Sequence, residues 1–188
     1  MKKTIYFITS NKGKAFEANK KFSRLDINVV QKNLGYPEIQ ADNLEEVALF
    51  GAEDVQKRFN HPFFLEDSGL FIDSLKGFPG VYSAYVYHTI GCAGLLRLLE
   101  DLDESERKAF FKSVIVYGEP GKKPLFFVGE CKGIISKEAL GNNGFGFDPI
   151  FIPQGEEKTF AQMEIEEKNN FSHRGKSLEK LKNFLYNL

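Results

Sequence analysis

Two short segments in the last third of the chain combine side chains that suit a flat, polar ring carrying an anion. Residues 144–149 read GlyPheGlyPheAspPro and residues 172–176 read SerHisArgGlyLys. The glycines let the backbone approach a ligand, and Phe145 offers an aromatic stacking face. The second segment places cations at a predicted helix start, where the helix dipole favours anions, so these cations are expected to hold one. An ordinary glycine turn with a buried aromatic, and a capped helix start with surface cations, are the alternative interpretations.

A third segment, ThrSerAsnLysGlyLys at 9–14, follows a short apolar run and precedes a helical pattern. Exposed backbone amides at a helix start form a natural anion site, to which Lys14 adds a cation and Asn11 a neutral donor. The segment is not a Walker A loop, because the leading glycine is missing and Ala15 stands where Ser or Thr is required. A plain helix N-cap is the alternative.

A fourth segment, GluAspSerGly at 66–69, places two acids at the end of a predicted buried strand. Buried acids are costly unless they are paired or bound to a metal. Successive strand side chains point in opposite directions, so only one of Glu66 and Asp67 is expected to face a cleft. Mg²⁺ needs few protein carboxylates, and Glu38 is a candidate for a second, distant ligand. Glu38 could equally be a solvated loop residue.

Composition narrows the class of protein. The chain has 188 residues with 42% hydrophobic side chains, which is enough for one domain, 1–188, with a substantial core. A net charge of −1 argues against a protein that binds nucleic acids non-specifically. The sequence also lacks the aromatic stacking motif that is typical of RNA-binding modules. Two cysteines are too few for a disulfide scaffold, and no apolar run reaches membrane-spanning length. We therefore expect a cytoplasmic protein without nucleic-acid or membrane partners.

Apolar periodicity predicts the elements that would position these segments. Strands are predicted over 4–9, 27–31, 63–65, 109–117 and 125–132, and helices from Lys14, over 44–59, over 89–102 and after Ser172. Helices and strands alternate early and strands dominate the middle. We expect one α/β domain with a mixed sheet and flanking helices, two-lobed around a central cleft that gathers the four segments.

Five motifs in this order resemble the inosine triphosphate pyrophosphatase family, the Ham1-like nucleoside-triphosphate pyrophosphatases. They are ThrSerAsnLysGlyLys, GluAspSerGlyLeu, GlyPheProGlyValTyrSer, GlyPheGlyPheAspProIlePhe and SerHisArgGlyLys. The resemblance runs over about 5–181. It implies a strongly twisted α/β fold and a homodimeric enzyme that uses Mg²⁺. It also implies cleavage of ITP, dITP and XTP to the monophosphate and pyrophosphate, which would clear deaminated purines from the nucleotide pool.

The resemblance also implies roles for individual residues. Asp67 would be the proton acceptor and a metal ligand, and Glu38 the second metal ligand. The substrate-binding residues would be Thr9, Ser10, Asn11, Lys12, Gly13 and Lys14 at the triphosphate, Ser68, then Phe145, Gly146, Phe147, Asp148 and Lys168 near the base or sugar, and His173 with Arg174 reading the base. One position departs from the family. Many relatives carry a lysine near Gly51, whereas this chain has none before Lys57, which puts a phosphate role for that helix in doubt.

Base preference can be argued from hydrogen-bond donors. Hypoxanthine and xanthine present an acceptor oxygen at C6, whereas adenine presents an amino group there. Arg174 has donors and no acceptor, so adenine is expected to be disfavoured. Two alternatives stay open, namely a pyrophosphatase for modified pyrimidine or methylated nucleotides, and a nucleotide sensor without turnover.

Overall fold

The computed structural model describes residues 3–23, 27–37 and 39–187. Its main elements follow one another as β1 (Lys3–Ile8), α1 (Lys12–Phe22), β2 (Ile27–Lys32), α2 (Leu44–Arg58), β3 (Phe63–Ile72), α3 (Ser83–Thr89), α4 (Gly91–Leu98), β4 (Lys108–Gly118), β5 (Leu125–Ile135), β6 (Phe151–Pro153), α5 (Ile165–Phe171) and α6 (His173–Tyr186). Short 3₁₀ segments fill several of the connections.

Within the described residues, six strands form a mixed sheet in the order β2-β1-β3-β4-β5-β6. Strand β1 pairs in parallel with both β2 and β3, whereas β5 and β6 are antiparallel. The predicted α/β class, with a mixed sheet and flanking helices, is therefore confirmed. The predicted strong twist, central cleft and single-domain extent stay predictions.

The chain divides into two compact units. Unit 1 comprises Met1–Asp67, Ser113–Gly129 and Arg174–Leu188. Its core forms because α1 presents Ala15, Ala18 and Phe22 on one face, at the spacing of an amphipathic helix. These side chains pack with buried residues of β1 and β3, such as Phe7 and Phe64, whose rings stack 4.3 Å apart.

Unit 2 comprises Ser68–Lys112 and Glu130–His173 and has its own core. Aromatic side chains dominate this core. Phe111 lies 4.8 Å from Phe151 in an edge-on arrangement, and Phe151 lies 5.1 Å from Phe160. The abundance of phenylalanine in the sequence thus serves core packing.

Two predicted elements differ from the structure, and two observed helices were not predicted. The third strand was predicted over 63–65, but β3 continues through the acidic segment to Ile72. The helix predicted over 89–102 is confirmed with shorter bounds, since α4 spans Gly91–Leu98. Gly91, with a φ of 63°, separates α4 from α3, which ends at Thr89. Helices α3 and α5 had no counterpart among the predicted elements. Among the described residues, none of the helices has the length and apolar character needed to cross a membrane.

Candidate active site

The segment 9–14 forms a tightly hydrogen-bonded turn at the start of α1. Asn11 is the N-cap, and its side-chain oxygen accepts from the Lys14 amide at 3.0 Å. The Thr9 hydroxyl accepts from the Asn11 amide at 3.1 Å. The first turn of α1 contains no acidic residue, which leaves the positive helix end open to an anion. Ser10, Asn11 and Lys12 are exposed, and Thr9, Gly13 and Lys14 are half-buried.

Two acids and two cations of unit 1 form a buried charge cluster. The Arg174 Nε donates to both carboxylate oxygens of Glu66, at 3.0 and 2.9 Å, and its Nη1 donates to Glu17 Oε2 at 2.6 Å. Lys14 Nζ donates to the main-chain oxygen of Glu66 at 3.0 Å and lies 3.6 Å from Glu66 Oε2. Each charge therefore has an opposite charge beside it, which meets the condition for burying ions.

This cluster controls the ionisation of its members. Burial alone would raise the pKa of Glu66, but the charges of Arg174 and Lys14 and hydrogen bonds from Arg174 and Ser113 lower that pKa to about 2. Burial alone would lower the pKa of Arg174, but the carboxylates of Glu66 and Glu17 raise it above its ordinary value. Glu66 and Arg174 are consequently both charged at neutral pH.

Arg174 already has two anionic partners within the protein. The cation at the start of α6 was expected to hold a ligand anion, yet Glu66 and Glu17 already supply two anions from the protein. A ligand anion is therefore not needed to explain a cation at the start of α6, and the role of Arg174 in base reading stays a prediction. Glu17 was missed at the sequence level, because its contact with Arg174 joins residues 157 positions apart.

Asp67 follows Glu66 on β3 and is half-buried. Because side chains alternate along a strand, Asp67 points to the face opposite the Glu66 carboxylate. Among the described residues, no group of three or more His, Cys, Asp or Glu side chains could hold a metal ion together. Mg²⁺ does not need such a group, because one or two carboxylates, water and substrate phosphate suffice. A half-buried Asp67 fits that requirement, whereas Glu38 lies outside the described residues.

The glycine segment of unit 2 closes around a carboxylate. Asp148 Oδ2 accepts from the Phe145 amide at 2.8 Å and from Lys168 Nζ at 2.7 Å. Lys168 also lies 5.3 Å above the half-buried ring of Phe145. Phe147 is buried in the unit 2 core, and Gly146 adopts a φ of 64°. The predicted residues Phe145, Asp148 and Lys168 are thus brought together, although their contacts with substrate stay predictions.

His173 and Ser68 also belong to unit 2. The His173 ring is buried and stacks on Phe111, with a centroid distance of 4.6 Å and an interplanar angle of 10°. Ser68 is half-buried on β3. The substrate contacts that the motifs imply for His173 and Ser68 stay predictions.

Gly51, which departs from the family pattern, lies on α2 against Tyr36. A Cβ atom at Gly51 would lie 2.7 Å from the Tyr36 ring, so a lysine there would force that ring to move. Lys57 is exposed and stands about 9 Å further along the helix.

Comparisons with known proteins agree with the motif order. A family model described as "Ham1 family" matches residues 5–184. A dITP/XTP pyrophosphatase of Thermococcus kodakarensis is 56% identical over 179 residues, which cover 95% of each chain. A dITP/XTP pyrophosphatase of Methanopyrus kandleri is 51% identical and covers 94% of this chain and 93% of its own. The structure of a HAM1 protein from Coxiella burnetii superposes with a TM-score of 0.85 at 32% identity, covering 99% of this chain and 100% of that one. The chain belongs to the Ham1 family.

Proposed function

We propose that this protein hydrolyses dITP, XTP and ITP to the nucleoside monophosphate and pyrophosphate. The observation that carries the proposal is the 56% identity, over 95% of both chains, to a dITP/XTP pyrophosphatase. The side chains fit this chemistry. Unit 1 presents a helix N-terminus with Lys14 for phosphates, and Asp67 supplies a half-buried carboxylate.

In this proposal the 9–14 segment binds the triphosphate. Its exposed amides and Lys14 offset the charge that develops on the pyrophosphate leaving group. Asp67 orients or deprotonates the water that attacks the α-phosphorus in line. The attack forms the new phosphorus–oxygen bond and breaks the α–β anhydride, and the proton of the water passes to Asp67 or to solvent.

We also propose that Asp67 and Glu38 hold Mg²⁺. When bound there, Mg²⁺ would neutralise phosphate charge and lower the energy of the leaving pyrophosphate. The half-buried position of Asp67 supports this assignment for one of the two ligands. Loss of activity in EDTA, with recovery on adding Mg²⁺, is the expected result.

The base is proposed to be read by His173 and Arg174, with Phe145 as a stacking face. An acceptor oxygen at C6 suits the donors of Arg174, and an amino group there does not. Because the guanidinium also holds two buried carboxylates, Arg174→Lys is the better test, since it keeps the charge but loses the planar fork. We expect the ITP-over-ATP ratio of kcat/KM to fall, and an unchanged ratio would contradict base reading.

A homodimer and a cytoplasmic location are proposed on the family resemblance. Support for association comes from six large apolar side chains of the 78–98 segment that are at least 38% exposed, namely Phe78, Tyr82, Tyr85, Tyr87, Ile90 and Leu98. Light scattering on the purified chain should give twice the monomer mass, and a monomer mass at micromolar concentration would contradict the dimer.

Product identification tests the function directly. The purified protein is incubated with Mg²⁺ and, in parallel, XTP, dITP, ITP, ATP, dUTP or 7-methyl-GTP. We expect monophosphate and pyrophosphate from the first three and little product from ATP. Diphosphate with phosphate would overturn the proposed bond cleavage. Preference for dUTP or 7-methyl-GTP would favour a pyrophosphatase for modified nucleotides, and binding without product would favour a sensor.

A further inference from the structure

Glu66 has no part in the mechanism above, yet it contacts both cations of the unit 1 cluster. Its side chain is 1% exposed. Its carboxylate accepts two hydrogen bonds from Arg174 Nε, and its main-chain oxygen accepts one from Lys14. Burying a carboxylate costs desolvation free energy, which the contacts of Glu66 must offset. These contacts therefore indicate what Glu66 does.

Two groups of Glu66 face the ammonium of Lys14. Lys14 Nζ is bound by the main-chain oxygen at 3.0 Å and lies 3.6 Å from a carboxylate oxygen of the same residue. The Lys14 side chain is 15% exposed, so part of it still meets solvent. A flexible lysine held at one point by two groups of a rigid strand loses most of its freedom before any ligand arrives.

A hydroxyl chain fixes the Glu66 carboxylate in turn. Ser113 Oγ on β4 donates to Glu66 Oε1 at 2.7 Å and lies 2.8 Å from Ser177 Oγ on α6. Ser113 and Ser177 are fully buried. Arg174 Nε contacts both oxygens of the same carboxylate. Glu66 therefore cannot rotate to follow Lys14, and Lys14 must take the position that Glu66 allows.

We propose that Glu66 is a positioning residue, which orients the Lys14 ammonium toward the phosphates without touching substrate. The inference rests on the proposed function, because it takes Lys14 as the cation that holds phosphate. Glu66 lies on the face of β3 opposite Asp67, so it does not share the role of Asp67 at the attacking water. The competing explanation is that Glu66 serves only as a counter-ion for Arg174.

A double-mutant cycle separates the two explanations. Glu66→Gln keeps the shape and the main-chain oxygen but removes the charge. We expect kcat/KM for XTP to fall about 10-fold, because Lys14 keeps its 3.0 Å hydrogen bond but loses the carboxylate charge 3.6 Å from its ammonium. In a Lys14→Gln background the same change should lower kcat/KM less than about threefold, since the group it positions is gone. An equal loss in both backgrounds would overturn the proposal and leave Glu66 as a counter-ion for Arg174.

Two further variants serve as the control and the replacement for Glu66→Gln. Glu179→Gln removes a half-exposed carboxylate, which pairs with Lys21 at 3.1 Å, and should leave kcat/KM unchanged. If Glu66→Gln does not fold by circular dichroism, Ser113→Ala takes its place in the cycle. It removes one hydrogen bond from the carboxylate, and we expect a loss of about 2- to 10-fold that again requires Lys14. A wild-type enzyme without pyrophosphate release would instead refute the proposed function.

Discussion

Replacing Lys168 by methionine should destabilise unit 2 far more than the loss of an exposed ion pair would. Lys168 and Asp148 are 2.7 Å apart, and their side chains are only 3% and 4% exposed. Methionine has a similar length, so it preserves packing beside Phe145 and Phe160, whose rings lie 5.3 and 5.2 Å from Lys168 Nζ. What the variant removes is the positive charge beside a buried carboxylate.

The burial of Lys168 and Asp148 determines how much unfolding free energy the variant loses. Removing one partner of a buried pair costs about 3–5 kcal/mol, because the other charge stays in a poorly solvated place. For a chain of this length each kcal/mol lowers Tm by about 2–4 °C, so the fall should be about 6–20 °C. The matched control is Lys122→Met, which removes a pair with Glu119 of similar length, 2.9 Å, but with Lys122 64% exposed. An exposed pair contributes about 0–1 kcal/mol, so its Tm should move little.

Differential scanning fluorimetry at pH 7 measures both variants, and urea unfolding supplies the free energies. The double variant Lys168→Met with Asp148→Asn should recover part of the loss. It removes both charges and keeps an oxygen that can accept from the Phe145 amide. A Lys168→Met protein whose Tm equals that of Lys122→Met would refute the reasoning from burial.

Three further predictions follow from the same structure. Asp67→Asn should lower kcat about 10²-fold or more while calorimetry still detects XTP binding, and near-normal turnover at saturating Mg²⁺ would refute its catalytic role. Gly51→Ala should cost about 1–3 kcal/mol, because its Cβ would lie 2.7 Å from the Tyr36 ring. Tyr36→Ala in the same chain should remove most of that penalty, and an undiminished penalty in urea unfolding would contradict the contact. Gly144→Ala and Gly146→Ala both place alanine at a left-handed φ, 75° and 64°, but only at Gly144 would the Cβ meet a carboxylate oxygen, at 2.0 Å. We expect about 1–2 kcal/mol at Gly146 and about 3 kcal/mol or more at Gly144, and equal losses would contradict the clash.

Local features were predictable because their causes lie within a few residues. Asn11 and Asn43 cap α1 and α2, and each accepts a hydrogen bond from an amide three residues later, which is the contact that asparagine before a helical pattern favours. The apolar face of α1 was equally readable, since its members recur at helical spacing. Prediction weakened where an element depends on its neighbours. Strand β3 continues past Glu66, whose carboxylate is satisfied by a cation and a hydroxyl group from distant segments, and the sequence around it gives no sign of them.

The amino-acid sequence by itself determined which chemical groups the site has to offer, and the order of its motifs identified the family. Tertiary structure decided which charges neutralise one another. Arg174 meets Glu66 across 108 residues and Glu17 across 157, and no local pattern encodes such pairings. The physical reason is that the state of a charged group depends on burial and on the nearest opposite charge. Burial and the nearest opposite charge are both set by how strands and helices pack. A cation that the sequence predicts to bind a ligand, such as Arg174, can therefore be paired with carboxylates of the protein itself.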